Sequence, residues 1–167
     1  MKRLIILLSL LAVLLVARAL NPTTSVAVPT NQVRVYFVRE EKVATAGRTV
    51  EGDAKNGAVQ ALLAGPNDFE RNIGMSTDIR AGSTLRGLNV ADNTATVDLS
   101  NEFQSDGGIM RLRVAEVVFT LTQFADVQRV TITLDGTPLD GAADLARADL
   151  EPVTPRILVE TPSLDSQ

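Results

Sequence analysis

Residues 85–99 read LRGLNVADNTATVDL and carry the clearest structural signal in this chain of 167 residues. Apolar residues alternate with polar ones on both sides of Asp92-Asn93, and both of these residues tolerate the positive φ that a tight turn needs. The stretch therefore predicts an antiparallel hairpin with strands at 85–91 and 94–99. Gly87 disturbs the alternation of the first strand, which predicts a β-bulge there.

The segments around this hairpin predict further strands and two helices. Segments rich in β-branched and aromatic residues predict strands at 33–38, 43–50 and 129–134. A turn after the third of these predicts a short return strand at 137–139. Apolar residues at helical spacing predict one helix that ends at residue 64 and a longer one at 108–125.

Local signals fix the ends of the first helix. Asp53 or Asn56 is the candidate N-cap, and Gly65-Pro66 ends the helix because Gly supplies a left-handed cap and Pro cannot continue the turn. The element order ββ-α-ββ-α-β predicts an α+β fold. We expect a single small mixed or antiparallel sheet of about five strands, packed by two α-helices.

Residues 67–83 show no sustained period, which predicts a long loop with at most a short helical turn. Phe69, Ile73, Met75 and Ile79 are the residues expected to pack it onto the domain. Long loops on a rigid scaffold often carry function, so this segment is the best candidate for a partner-contacting surface. A plain connection is the alternative.

The N-terminus has the three parts of a bacterial secretory signal: a Lys-Arg start, an apolar run at 4–17 and an Ala-x-Ala exit. As a helix the run reaches about 21 Å, short of the ~30 Å hydrocarbon core. We therefore expect signal peptidase to recognise Ala17 and Ala19 and to cleave after Ala19. An uncleaved membrane anchor is the alternative, and both place the remaining chain outside the cytoplasm.

These features divide the chain into four parts. Residues 1–19 are the signal peptide or anchor, and 20–32, with Pro, Thr and Ser, form a flexible tether. Residues 33–141 form the domain. Residues 142–167 are a proline-containing tail, in which only 156–160 has the composition of an extended segment.

The composition excludes several classes of function. The chain has no Cys, His or Trp, which rules out disulfides, thiol nucleophiles, zinc thiolate sites and a Ser-His-Asp triad. Asp and Glu number 20 against 16 Lys and Arg, and an acidic domain repels nucleic acid and anionic lipid. Arg111 and Arg113, two residues apart on the second predicted helix, point to different sides and are expected on a solvated face.

Two groups of acidic residues are candidates for cation or catalytic sites. Asp98, Glu102 and Asp106 recur every four residues, but the segment lacks the dense oxygen ligands of a calcium loop. The second group, Asp135, Asp140 and Asp144 with Gly136 and Gly141, is better explained by turns. Paired carboxylates could also cleave a glycosidic bond, but Tyr36 is the only Tyr and the chain lacks the aromatic platforms of sugar sites. The sequence therefore predicts no catalytic residue, no metal site and no cofactor.

Six pieces of the chain resemble GerMN domains, the sporulation and spore-germination domains, in their order and spacing. They are VYF at 35–37, RTV at 48–50, ALLAGP at 61–66, ATVDLSNEF at 95–103, VVFTLTQF at 117–124 and VTITLDG at 130–136. The resemblance covers about residues 33–139. It departs from the family at Arg80-Ala81, where a proline-containing turn is expected, and in the missing lipobox cysteine.

The resemblance implies a compact α+β domain on a secreted, lipid-anchored or membrane-anchored bacterial protein linked to sporulation, germination or envelope assembly. No enzymatic activity is established for the family, so it implies no catalytic residues. Residues 155–162 also resemble the opening strand of the immunoglobulin-like germination domain that often follows a GerMN domain; a disordered end is the alternative.

From these observations we expect an extracytoplasmic, non-enzymatic binding or assembly module of the bacterial cell envelope. Its expected partner is an envelope protein or a peptidoglycan-associated one, with no nucleic acid and with membrane contact only through residues 1–19 if they are uncleaved. The alternatives are a carboxylate-based cell-wall hydrolase and a receptor for a small ligand such as a wall fragment or germinant.

Overall fold

A computed structural model describes residues 28–40, 42–105, 107 and 109–150 of the chain. The strands are β1 (Thr30–Arg39), β2 (Lys42–Glu51), β3 (Met75–Ser76), β4 (Leu85–Ala91), β5 (Thr94–Leu99), β6 (Arg129–Leu134), β7 (Thr137–Pro138) and β8 (Leu145–Ala146). The helices are α1 (Ala54–Leu63), α2 (Asp68–Asn72), α3 (Met110–Leu121) and α4 (Arg147–Leu150), and Asn101–Gln104 forms a 3₁₀ turn. The predicted α+β class is confirmed.

The strands form two sheets, whereas the sequence predicted one. The first sheet has the order β2-β1-β3 and is antiparallel throughout. The second has the order β4-β5-β6-β7, with β8 also on β6, and its β5–β6 pair is parallel. The β1–β2 hairpin pairs with β3 and forms no ladder with β4 or β5.

The β4–β5 hairpin has the predicted form. Asp92 and Asn93 have φ values of 49° and 62°, the positive values of a tight hairpin turn. The register shifts between Leu85 and Gly87, which confirms the predicted bulge.

Helix α1 has the predicted cap and lies unusually close to β2. Asp53 Oδ1 accepts a hydrogen bond from Asn56 N at 2.8 Å, and Gly65, with φ 78°, follows the end of the helix. A Cβ added at Gly57 would stand 2.7 Å from Val50 Cβ. Gly57 is therefore the residue that lets α1 approach the sheet.

Helix α3 is the centre of the core. It is shorter at both ends than the predicted 108–125, and every residue from Leu112 to Leu121 is buried. It packs against β1, β2, β6, α1 and α4. A helix buried on all sides belongs between layers of structure rather than on a surface.

The packed chain continues beyond residue 141, where the predicted domain ends. Ile132 N donates to Ala142 O at 2.9 Å, and β8 then pairs with β6. The Arg147 guanidinium stacks on the rings of Phe119 and Tyr36, 4.6 and 5.2 Å from their centroids, which fixes α4 to the core.

Several sequence predictions fall outside the described residues. These are the signal residues Ala17 and Ala19, the tether up to residue 27, and the tail from 151, with its extended segment at 156–160 and its resemblance segment at 155–162. In the part of the chain that the structure describes, no helix combines the length and apolar character needed to cross a membrane.

Candidate functional site

The parallel β5–β6 pair brings two of the quoted motifs to one end of the second sheet. Asp98 Oδ1 accepts hydrogen bonds from Thr133 Oγ1 at 2.6 Å and from Gly136 N at 2.8 Å. These two donors, Thr133 foremost, lower the pKa of Asp98. Asp98 therefore closes the turn after β6.

Asp135 acts in the same turn. Its carboxylate accepts from Arg86 Nε at 3.1 Å and from Asn101 N at 3.3 Å, which joins the end of β6 to β4 and to the start of the 3₁₀ turn. Asp135 and Gly136 have φ values of 44° and 82°. The turn interpretation of this Asp-Gly pair is confirmed.

The two acidic groups do not assemble into metal sites among the described residues, where no three carboxylates come together. Asp106 lies outside those residues. Glu102 is exposed, and a hydrogen bond from Ser100 lowers its pKa. Asp144 accepts from Arg129 Nε at 2.6 Å instead of meeting Asp135.

A polar cleft of about 420 Å³ opens beside this turn. Amide, hydroxyl and carboxylate groups line it together with three apolar residues. Its lining residues are Asn101, Gln104, Leu134, Asp135, Thr137, Pro138, Leu139 and Asp140. It is large enough for a small polar ligand.

Of the two arginines predicted to lie on a solvated helix face, Arg111 is exposed and Arg113 is buried, which corrects the prediction for Arg113. Arg113 is 1% exposed, and its guanidinium donates to four backbone carbonyls. The acceptors are those of Asp78, Phe103, Ser105 and Gly107. Arg113 therefore fixes two loops against α3, and its burial lowers the pKa of the guanidinium.

Glu116, one turn further along α3, fixes the same part of residues 67–83. Its carboxyl group is fully buried and accepts from Thr77 Oγ1 at 2.6 Å and from Asp78 N at 2.8 Å. Burial raises the pKa of Glu116 to about 8. Glu116 and Arg113 together hold residues 77–78 to the core.

The first part of residues 67–83 is equally well anchored. Asn67 and Glu70 form a reciprocal capping box at the start of α2. Arg48 on β2 makes two hydrogen bonds to the Glu70 carboxylate, at 2.5 and 2.6 Å, and this pairing lowers the pKa of Glu70. Residues 67–83, predicted as a loop, therefore contain the short helix α2 and the strand β3, and hydrogen bonds and an ion pair hold this segment to the rest of the domain.

Anchoring α2 leaves two large apolar side chains facing solvent. Phe69 is 71% exposed and Ile73 is 37% exposed, whereas the sequence predicted that both pack inward. Met75 and Ile79 pack inward as predicted. Phe69 on α2 and Ile73, the residue directly after the helix, are joined by a hydrogen bond from Ile73 N to Phe69 O at 3.1 Å, and we call this pair the Phe69 patch. The Asn-x-x-Glu pattern at Asn67 and Glu70 was the signal that could have located the helix and its outward face.

Comparison with protein families identifies the family of this chain. The Germane family, described as sporulation and spore germination, matches residues 24–140. None of the curated proteins compared with the chain matches it significantly.

Three solved structures share the fold. The tandem GerMN domains of the sporulation protein GerM from Bacillus subtilis are 24% identical, with a TM-score of 0.56 over 72% of this chain and 48% of that one. The first GerMN domain of GerM alone is 23% identical, with a TM-score of 0.55 over 71% of this chain and 99% of that one. A Clostridium perfringens protein described as a candidate lipoprotein is 16% identical, with a TM-score of 0.51 over 74% of this chain and 91% of that one.

The matched lengths correspond to one domain. The chain spans about half of the tandem GerM structure and nearly all of its first domain. The family match covers more than half of the chain and includes the described strands from β1 to β7. The chain belongs to the GerMN, or Germane, family of sporulation and spore-germination domains.

Proposed function

We propose that this protein is an extracytoplasmic, non-enzymatic binding module of the bacterial cell envelope that docks a protein partner through the Phe69 patch. The observation that carries this proposal is the 71% exposure of Phe69 on a helix held by a capping box and an ion pair. Single exposed apolar residues are ordinary. A large aromatic side chain held outward by fixed supports, with a second apolar side chain beside it, has the character of an interface anchor.

The energetics of the patch suit a partner of this kind. Fully burying a Phe or Ile side chain contributes roughly 1.5–3 kcal/mol each. Because α2 is already ordered by Asn67, Arg48 and Glu70, a partner does not have to order it on binding. The patch can therefore act as a small anchor within a larger interface.

The carboxylates favour a binding module over a hydrolase. A general acid needs a raised pKa and contact with substrate. The pKa values of Asp98 and Glu102 are lowered, so both stay ionised at neutral pH. Glu116 has a raised pKa, but it is 0% exposed and bonded to residues 77–78, away from solvent.

The extracytoplasmic location rests on the secretory features of residues 1–19. The Clostridium perfringens relative, described as a candidate lipoprotein, has a compatible location. N-terminal sequencing of the mature protein tests this part of the proposal. A start at Leu20 indicates cleavage after Ala19, and a start at Met1 indicates an uncleaved anchor.

The polar cleft supports a second candidate function, reception of a small polar ligand such as a wall fragment. Its amide and carboxylate lining suits hydrogen bonding to hydroxyl or ammonium groups. Thermal melting with purified muropeptides tests it. Binding raises the melting temperature, and Asn101→Ala with Gln104→Ala removes that rise.

The docking proposal is tested by the size of the native complex. Envelope extracts of cells that produce the full chain are separated on a native gel, and the chain is located by antibody. We expect the wild type in a complex larger than the free chain, and Phe69→Ser with Ile73→Ser to release it. Asn89→Ser, at an exposed position on β4, is the matched control and leaves the complex intact. A complex of unchanged size in the double variant would contradict docking through the patch.

A further inference from the structure

Strand β2 forms a long, regular outer edge of the first sheet. It is ten residues long, contains no proline, and pairs with β1 without a register shift. Gly52 N donates to Pro29 O at 3.0 Å, which continues this ladder by one pair. Along an antiparallel strand, residues whose backbone groups bond to the partner alternate with residues whose backbone groups point away from it. Because Gly52 bonds to Pro29, the even-numbered residues of β2 are the ones that bond to β1. The backbone N–H and C=O groups of residues 43, 45, 47, 49 and 51 point away from the sheet.

These five residues form what we call the outer row of β2. Among the described residues, one hydrogen bond reaches their outward backbone groups, from Arg48 Nη1 to Gly47 O at 3.0 Å. Arg48 also keeps its two bonds to Glu70, so it can release Gly47 O without losing its ion pair. The outer row is therefore available to another strand.

The edge of the second sheet at β4 is built differently. Strand β4 has seven residues, a bulge between Leu85 and Gly87, and half-buried side chains at Leu88 and Val90. Bulges and short edge strands are devices that prevent pairing between molecules. Strand β2 has neither, so the backbone at the centre of its edge stays open to a second strand.

The outer row is symmetric about Gly47. Thr45 and Thr49 flank Gly47 at equal distances along the strand, and all three are exposed. When two β2 strands run antiparallel about a two-fold axis at Gly47, each Thr45 faces Thr49 of the second copy, a favourable cross-strand pair. A Cβ at Gly47 would have nothing within 4 Å, so the centre of the edge is open.

The same register avoids a charge conflict on the other face of the sheet. It places Arg48 opposite Ala46 of the second copy, while within the outer row it places Val43 opposite Glu51. A shift of two residues toward the C-terminus would place Arg48 opposite Arg48, and like charges directly opposite are destabilising. The chain's own pattern therefore fits a second copy in one particular register.

We propose that two copies of this chain associate through antiparallel pairing of their β2 strands about Gly47, which joins two three-stranded sheets into one. Each copy contributes the outward N–H and C=O groups of its outer row, and the Arg48 contact to Gly47 O is displaced. The backbone groups of the outer row and the side chains of the Phe69 patch belong to different residues, so different substitutions address them. The two surfaces can be tested separately.

Single-cysteine crosslinking tests the pairing, because the chain has no natural cysteine. Full chain carrying Gly47→Cys is produced in intact cells and oxidised with copper phenanthroline. Facing residues of a hydrogen-bonded pair have Cα atoms about 5.5 Å apart, within the range that a disulfide spans. We expect a band of twice the chain mass on a non-reducing gel. Asn89→Cys on β4, the matched control, should stay at single mass.

Charge variants test the register. Thr45→Lys with Thr49→Lys places lysine opposite lysine at both ends of the row, and this pair should abolish the Gly47→Cys dimer. Thr45→Lys with Thr49→Glu places lysine opposite glutamate and should retain it. The same two double variants without the cysteine can be measured by light scattering in detergent. Thr45→Lys with Thr49→Lys should give the mass of one chain, and Thr45→Lys with Thr49→Glu should give the mass of two.

Several outcomes would overturn the proposal. One is the absence of a Gly47→Cys dimer together with a single-chain mass for the wild type. Others are the same yield of crosslinked dimer from Gly47→Cys and Asn89→Cys, or the same mass for the two charge variants. A Gly47→Cys crosslink to a different protein would also overturn it, because the edge would then accept a foreign strand.

Discussion

Glu116, on the buried helix α3, accepts a hydrogen bond from the Thr77 hydroxyl at 2.6 Å. The same carboxyl group accepts from Asp78 N at 2.8 Å. These bonds tie residues 77–78 to the centre of the core, and β3, just before them, connects to the helix that carries the Phe69 patch. A fully buried acidic residue thus fixes the segment that follows the Phe69 patch in the chain.

The Glu116 carboxyl makes stability fall as the pH rises. Its pKa is about 8 in the folded chain and 4.5 is the ordinary value, so between these values the folded state binds a proton that the unfolded state has lost. This contribution is fully present below pH 4.5, and it is lost as the pH rises to about 8. At ~1.4 kcal/mol per pKa unit, the wild type should lose roughly 3–5 kcal/mol of unfolding free energy across that window.

Urea unfolding of the wild type and Glu116→Gln at pH 5 and pH 8 measures this effect. Gln stays neutral and can still accept from Asp78 N, so the variant should lack the Glu116 contribution to the pH dependence. Its stability relative to the wild type should therefore be higher at pH 8 than at pH 5. An equal difference at the two pH values would show that Glu116 titrates normally.

The ion pair between Arg48 and Glu70 should stabilise α2. Hydrogen bonds to charged groups contribute ~1.5–3 kcal/mol each when their partners are buried, and this pair is partly exposed. We expect Arg48→Ala and Glu70→Ala each to lower the unfolding free energy by about 1–2 kcal/mol. A double-mutant cycle by chemical unfolding should give a coupling energy of about 1 kcal/mol; additive losses would mean that the contact contributes nothing.

Gly57→Ala should destabilise the fold although alanine favours helix. The new Cβ would stand 2.7 Å from Val50 Cβ, so α1 must move away from β2. We expect a loss of about 1–3 kcal/mol from overpacking, against a helix-propensity gain of roughly 1 kcal/mol. Val50→Ala in the same chain should recover part of the loss. Gly87→Ala, where nothing lies within 4 Å, is the control, and its thermal midpoint should stay near that of the wild type.

Replacing Asp98 should destabilise the fold more than replacing Glu102, and neither residue should support hydrolysis of peptidoglycan. Asp98→Ala leaves the Thr133 hydroxyl and Gly136 N without their acceptor, so we expect a loss of about 1–2 kcal/mol. Glu102→Ala changes an exposed residue, and its stability should stay near that of the wild type. Peptidoglycan incubated with wild-type protein should release no muropeptides. Release that either substitution abolishes would favour the hydrolase alternative.

The features predicted correctly from sequence depend on neighbouring residues. The turn at Asp92-Asn93, the bulge near Gly87 and the cap at Asp53 each have a local steric or hydrogen-bonding cause. The GerMN resemblance was likewise visible in short stretches of sequence, and the Germane match confirms it.

The features that were missed depend on contacts between distant residues. The division into two sheets depends on pairings between distant residues, such as that of Val38 with Ser76, which no local pattern reveals. Arg113 was expected in solvent because arginine is rarely buried, but carbonyls as distant in sequence as that of Asp78 surround its guanidinium. Phe69 was expected inside because it is apolar, yet Glu70 is the residue of α2 that turns inward, toward Arg48.

The most direct test of docking through the Phe69 patch is site-specific photo-crosslinking in intact cells. A benzophenone amino acid replaces Phe69 in the full chain, and the same probe at Asn89 serves as the exposed control. We predict one discrete adduct to a single envelope protein from position 69, its loss when Ile73→Glu is added, and its absence from position 89. No adduct at position 69, or the same adducts at both positions, would contradict a binding role for the patch.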